Sequence, residues 1–157
     1  MTYKEAAVTA ADRITQAFYM IAQHIIGEED GGVADMVEEK LDFLGRVARP
    51  IVADLADVVG IATVLERTER LDDESFVALI GSICGPGEQF THEVADQAAA
   101  ETATILHMKI FSLFPEIGTA GTVSLSRHTD RAFEVSKSHL RSEANFREAY
   151  PASSPSA

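Results

Sequence analysis

At 157 residues, with 46% hydrophobic and 24% charged side chains, the chain has enough material for one domain with a real core and needs no covalent staple. Its 25 acidic and 13 basic residues set a formal charge of −12, which argues against a phosphate-backbone binder, because nucleic-acid affinity comes mainly from Lys and Arg. The single cysteine, Cys84, cannot form an intramolecular disulfide, no apolar run approaches the roughly 20 residues of a membrane span, and Met1-Thr2-Tyr3-Lys4-Glu5 lacks the apolar core of a signal peptide. These features predict a cytoplasmic protein with no membrane segment.

The first helix is predicted over 4–26, where Ala7, Ala11, Ile14, Phe18, Ile21 and Ile25 alternate steps of four and three along one stripe. Gly27 and the polar run to Gly32 supply its stop and a turn. A second helix is expected over 33–48, with Val33, Val37, Leu41, Leu44 and Ala48 inward and its acids outward. Pro50 lacks an amide hydrogen and suits the first turn of a new helix, so a third is placed over 50–68, a continuous kinked helix being the alternative. Its inward face is Ile51, Leu55, Val58, Ala62 and Leu65.

Acids at Asp72, Asp73 and Glu74 mark the start of a short fourth helix running to about Cys84, since carboxylates favour the positive end of the helix dipole. Gly85-Pro86-Gly87 breaks the chain before the longest predicted helix, 86–114, whose length of about 42 Å makes it the axis of the fold. Val94, Ala95, Ala98, Ala99, Thr102, Ala103, Ile105, Leu106, Ile110 and Leu113 share its broad inward face, and the small side chains of the first half suit the middle of a bundle. Met108, Phe111 and Phe114 fall on the opposite side, leaving the second half apolar almost all round, which calls for fuller burial or a second surface. A loop over 116–125 leads to a sixth helix ending near Tyr150, with Ser126 or Thr129 as its cap. Its inward stripe, which includes His128, His139 and Phe146, is wetter than the others. Residues 151–157 read as a short disordered tail following a single domain over 1–150.

The charge is uneven along the chain: residues 1–125 carry 8 basic and 21 acidic side chains, whereas 126–157 carry 5 and 4. His128 and His139 lie about 16 Å apart along the last helix, too far to share an ion, so either each meets a carboxylate of the acidic body or the helix is loosely attached. Charging a histidine near its ordinary pKa of about 6.5 would then modulate docking.

Catalytic signatures are missing. Gly81-Ser82-Ile83-Cys84-Gly85 sets serine one place off the nucleophile-elbow spacing and in a helical pattern. Glycine-rich phosphate loops would need a strand before them. His92 and Asp96 stand one helical turn apart, and with His107 they are the candidate metal ligands of the chain, although no Glu-x-x-His motif is present to build a di-iron centre.

The expectation is therefore an all-α fold, a five- or six-helix antiparallel bundle around a long central helix. The expected function is a non-catalytic acidic adaptor or regulator without a cofactor, working by binding another protein, a basic one included, and associating as a homodimer. Met108, Phe111, Phe114, His128, His139 and Phe146 are its candidate partner-facing residues. An antagonist of a basic target would share these features. The alternative is a helical bundle that holds a small molecule or a metal.

Overall fold

The computed structural model describes residues 1–26, 37–72, 92–117 and 125–149. Within them the chain is helical throughout: α1 (Tyr3–Ile26), α2 (Val37–Phe43), a π-helical turn (Leu44–Ala48), α3 (Arg49–Val59), α4 (Ile61–Thr68), a 3₁₀ turn (Glu69–Asp72), α5 (His92–Leu113) and α6 (Leu125–Ala149). Because α2, the π turn and α3 are continuous, these form five helical rods among the described residues, a helical bundle as expected. The expected fourth helix beyond residue 72, Cys84, the start of the long helix at Pro86, the loop over 118–124 and the tail lie outside the described residues, as do the side chains of His92 and Phe146.

α1 begins with a capping box that follows from the spacing Thr2-x-x-Glu5: the Glu5 amide donates to the Thr2 hydroxyl and the Thr2 amide to the Glu5 carboxylate, each at 3.2 Å. Of its predicted stripe Ala11, Ile14, Phe18 and Ile21 are buried, at 1% exposure or less, and Ala7 is half-buried, while Ala10, Ala17, Tyr19 and Ala22 widen it to a second face. That width has a cause: α2, α3, α4 and α5 all pack against α1.

The second and third helices depart from expectation in two places. Pro50 does not end a helix; the run from 37 to 59 accommodates it through the π turn, in which the Arg49 amide donates to the Leu44 carbonyl five residues back. The wider turn moves the preceding carbonyls off the proline ring, which would clash in a regular α-helix. The extra residue also rotates the segment before it, so Val37 and Leu41 are 61% and 62% exposed rather than inward, and Phe43 and Val47 are buried in their place. Phe43 stacks on Phe18 with ring centroids 4.2 Å apart, and Tyr19 meets both rings edge-on. The helix expected over 50–68 is divided at Gly60, whose φ of 87° and ψ of 150° are open only to glycine.

α5 lies between α1 and α6 and buries Ala95, Ala98, Ala99, Thr102, Ala103, Leu106 and Ile110. Its contact with α6 is the most extensive in the bundle, as small side chains allow. Pairing reveals direction: as α5 advances from Asp96 to His107, its partners on α6 recede from Arg141 to Thr129, so the two are antiparallel. The 37–59 run is also antiparallel to α6, because Asp42 meets His139 and Asp54 meets His128. Buried hydroxyls cost nothing unpaired: Thr15, Thr68, Thr102 and Ser136 each bond the carbonyl four residues back, at 2.6 to 2.9 Å.

Candidate functional site

Three features stand out above the packing: a polar seam that holds α6, an apolar stripe on the outside of α5, and a cleft beside α1. The seam joins the two histidines singled out in the sequence to two carboxylates that the sequence did not mark. His128 Nε2 donates to Asp54 Oδ2 at 2.5 Å, and His139 Nε2 to Asp42 Oδ2 at 3.1 Å. The Tyr19 hydroxyl lies 2.8 Å from His139 Nδ1. Burial pushes the Tyr19 phenol well above its ordinary pKa, with the carboxylates of Glu39 and Asp42 adding to the effect, so it stays protonated and donates. The Asp42 carboxylate accepts from Nε2, and the tautomer with its hydrogen there leaves Nδ1 to accept from the phenol.

The order Tyr19, His139, Asp42 has the form of a nucleophile, base and orienting acid, but its chemistry points the other way. Tyr19 is 3% exposed and its phenol is held neutral, the reverse of an activated nucleophile. The relay ties three helices together: α1, α2 and α6. Both histidines are 9% exposed and meet carboxylates of their own chain, so α6 packs firmly on the body, and these two of the expected partner-facing residues are turned inward.

On its other side α6 grips α5. Arg141 makes a two-pronged contact with Asp96, Nε to Oδ1 at 2.6 Å and a terminal nitrogen to Oδ2 at 2.5 Å, which raises the arginine pKa through the hydrogen bonds and then the charge of Asp96. His107 Nδ1 and the Thr129 hydroxyl share a short hydrogen bond. The expected ligand set is thereby separated: Asp96 belongs to Arg141, and His107 stands three helical turns further along α5, about 16 Å away. What the fold does bring together is His107 and His128, which line one small space of about 10 Å³ with Thr129. No group of three or more His, Cys, Asp or Glu side chains able to hold a metal occurs among the described residues.

The stripe on α5 is more accessible. Met108 is 64% exposed and Phe111 46%, and they are neighbours one turn apart on the face opposite the core. Exposed Ala100 and Thr104 extend the same face toward the N-terminus. Phe114 does not join them. It is 1% exposed, and the Arg67 guanidinium lies 5.4 Å from its ring centroid. The Phe114 amide still donates to the Ile110 carbonyl at 2.9 Å, and four residues on at 100° each set Phe114 only about 40° from buried Ile110, so the continued helical turn itself brings it to the core edge.

Arg67 does more than cover that ring. It donates to the Leu113 carbonyl at 3.0 Å and to Glu116 at 2.7 Å, so α4 supplies the cation that α5 lacks in its own last turn. That hydrogen bond, chiefly, holds the Glu116 carboxyl down at about 2. Arg13 of α1 treats α4 likewise, donating to the Leu65 carbonyl at 2.6 Å.

The third feature, a half-open cleft of about 660 Å³ between α1, α2 and the end of α4, has no sequence signature, since its walls come from three separate segments. None of the described helices is long and apolar enough to cross a membrane. Set against known proteins, the chain matches no family model, no curated protein and no solved structure, so its function is argued from its own geometry.

Proposed function

We infer that the protein is a non-catalytic, acidic helical adaptor or regulator of the cytoplasm that works by binding another protein and associates as a homodimer. One observation carries the reading: Met108 and Phe111 stand side by side in solvent on a helix whose opposite face is fully packed. Methionine and aromatic residues are enriched where proteins meet, and the smaller Ala100 and Thr104 beside them let a facing helix approach closely. Two copies of α5 laid antiparallel across a two-fold axis at Thr104 would set Met108 of each over Ala100 of the other, a large side chain against a small one. The charge of −12 supports a basic partner, an antagonist's target included.

The test compares the wild type with the doubly substituted Met108→Ser/Phe111→Ser. Light scattering is expected to give twice 17.0 kDa for the wild type at high concentration and 17.0 kDa for the variant, with unchanged thermal stability because both positions are exposed. A wild type that stays monomeric over a wide concentration range removes the homodimer. Affinity capture from the native organism is expected to retain a partner on the wild type and lose it on the variant. A stoichiometric metal or retained small molecule in the purified protein, by elemental analysis and native mass spectrometry, would sink the adaptor reading.

A further inference from the structure

α5 and α6 form one layer of the bundle, α5 backed by α1 and α6 by the 37–59 run. His128 points α6 at Asp54 of α3 and Thr129 points it at His107 of α5, which fixes how the helix is turned. At 100° per residue, Asp130, Phe133 and Lys137 lie within about 60° of one another and about 140–200° from His128, past Thr129, so they flank the outer stripe of α5. Phe133 is half-buried against the core, with Lys137 Nζ 4.8 Å from its ring centroid. Asp130 is exposed and makes no hydrogen bond or ion pair in the structure. Lys137 reaches Glu134 at 3.6 Å, and with Glu134 66% exposed that pair holds it only weakly. Asp96 stands level with Arg141 and His107 with Thr129, so residue 132 or 133 of α6 stands level with Thr104. A two-fold axis at Thr104 therefore passes beside Phe133, and Asp130 and Lys137 lie on either side of it, about 5–6 Å away in each direction.

We propose that two copies of the chain join through the whole α5–α6 layer, antiparallel about the axis at Thr104, with Lys137 of each copy paired to Asp130 of the other and the two Phe133 rings meeting at the axis. This arrangement rests on the homodimer reading above and adds the polar pair that fixes its register. The face is self-complementary in charge as well as in shape, since the axis that sets Met108 over Ala100 also sets a cation over an acid twice. Moving the axis one helical turn along the layer would set Asp130 against Asp130 or Lys137 against Lys137, so the charges oppose a slipped dimer. The area is adequate only with α6 included: α5 has 22 residues, and two helices side by side present about 33 by 20 Å, on the order of 600 Å² per copy, the lower end for a stable interface.

The test uses the full chain as two single variants, Asp130→Lys and Lys137→Glu, with dimer dissociation constants from sedimentation equilibrium. Each variant by itself sets like charges together on both sides of the axis and is expected to weaken its own dimer about tenfold. In a mixture of the two, one copy carries cations at both positions and the other carries acids, so a heterodimer of near wild-type affinity is expected, resolved by native mass spectrometry with one variant isotopically labelled. Arg127→Glu reverses an exposed charge on the side of α6 turned away from α5 and is expected to change the dimer less than about twofold. Equal weakening by Arg127→Glu, or a mixture of the two weakened variants that forms no heterodimer, would overturn the proposal. Dimers unaffected by Asp130→Lys and Lys137→Glu but lost in Met108→Ser/Phe111→Ser would overturn it too, while leaving the α5 dimer in place. A wild type monomeric over a wide concentration range would overturn both.

Discussion

Tyr19 shows how one side chain is given its role by what surrounds it. On the helical wheel of α1 it is an aromatic next to Phe18; in the bundle its ring packs on Phe43 while its hydroxyl reaches His139. Tyr19→Phe keeps the packing and leaves His139 Nδ1 without its phenol partner, so it is expected to cost about 1–3 kcal/mol in denaturant unfolding, the range for an unsatisfied buried acceptor. In a His139→Leu background the same change is expected to cost much less, because the acceptor is gone. Glu116 gives a pH-dependent counterpart. Its folded pKa, about 2, lies below the ordinary 4.5, so its contribution to stability is full above about pH 4.5 and is lost as pH falls toward 2. Glu116→Gln is expected to flatten stability against pH across that window, measured by urea unfolding at successive pH values. An unchanged slope would remove the Arg67 contact from the account.

At the scale of elements, helix ends and interruptions carry most of the departures from simple periodicity. The Thr2-x-x-Glu5 box is local and can be read directly from four residues. The C-terminal caps cannot, since Arg13 serves α4 and Arg67 serves α5 across about fifty residues of chain. Gly60 sits between: its presence is visible, but only the angle between α3 and α4 requires the backbone to take φ 87° there. Gly60→Ala is expected to destabilise by about 1–3 kcal/mol through backbone strain alone. Beyond its own chain neighbours no atom lies within 4 Å of the added methyl, so a clash with the packed helices contributes nothing. The measurement is a shift in urea midpoint with an unchanged slope. The exposed Val37 and Leu41 have a related origin, because the π turn shifts the face by one residue, and a pattern counted at 3.6 residues per turn crosses it in the wrong phase.

For the whole molecule, charge is the organising quantity. α6 turns Arg141, His128 and His139 onto carboxylates of the body, whereas Arg127 and Arg131 on the same helix are exposed, so only part of its basic character is used within the chain. The remaining acidity faces outward and is long-ranged. A complex with a basic partner is accordingly expected to form more slowly as salt rises, with association rates falling severalfold between low and physiological ionic strength. Stopped-flow mixing over a salt series checks this, and a salt-independent rate would count against electrostatic steering.

The division between sequence and tertiary structure follows from range. Periodicity, capping residues and composition are local, and they determined the all-helical class, the stripe of α1, the close-packing face of α5 and the outward placement of Met108 and Phe111. They also marked His128 and His139 as unusual and offered two alternatives for them. Tertiary structure chose between these by placing Asp54 and Asp42 opposite, packed the Arg67 guanidinium against the Phe114 ring, gave Asp96 to Arg141 and His107 to Thr129, and opened a cleft from segments far apart in the chain. Each of those outcomes depends on the order and direction in which helices pack. That order is set by contacts between residues tens of positions apart, about which no short window of sequence carries information.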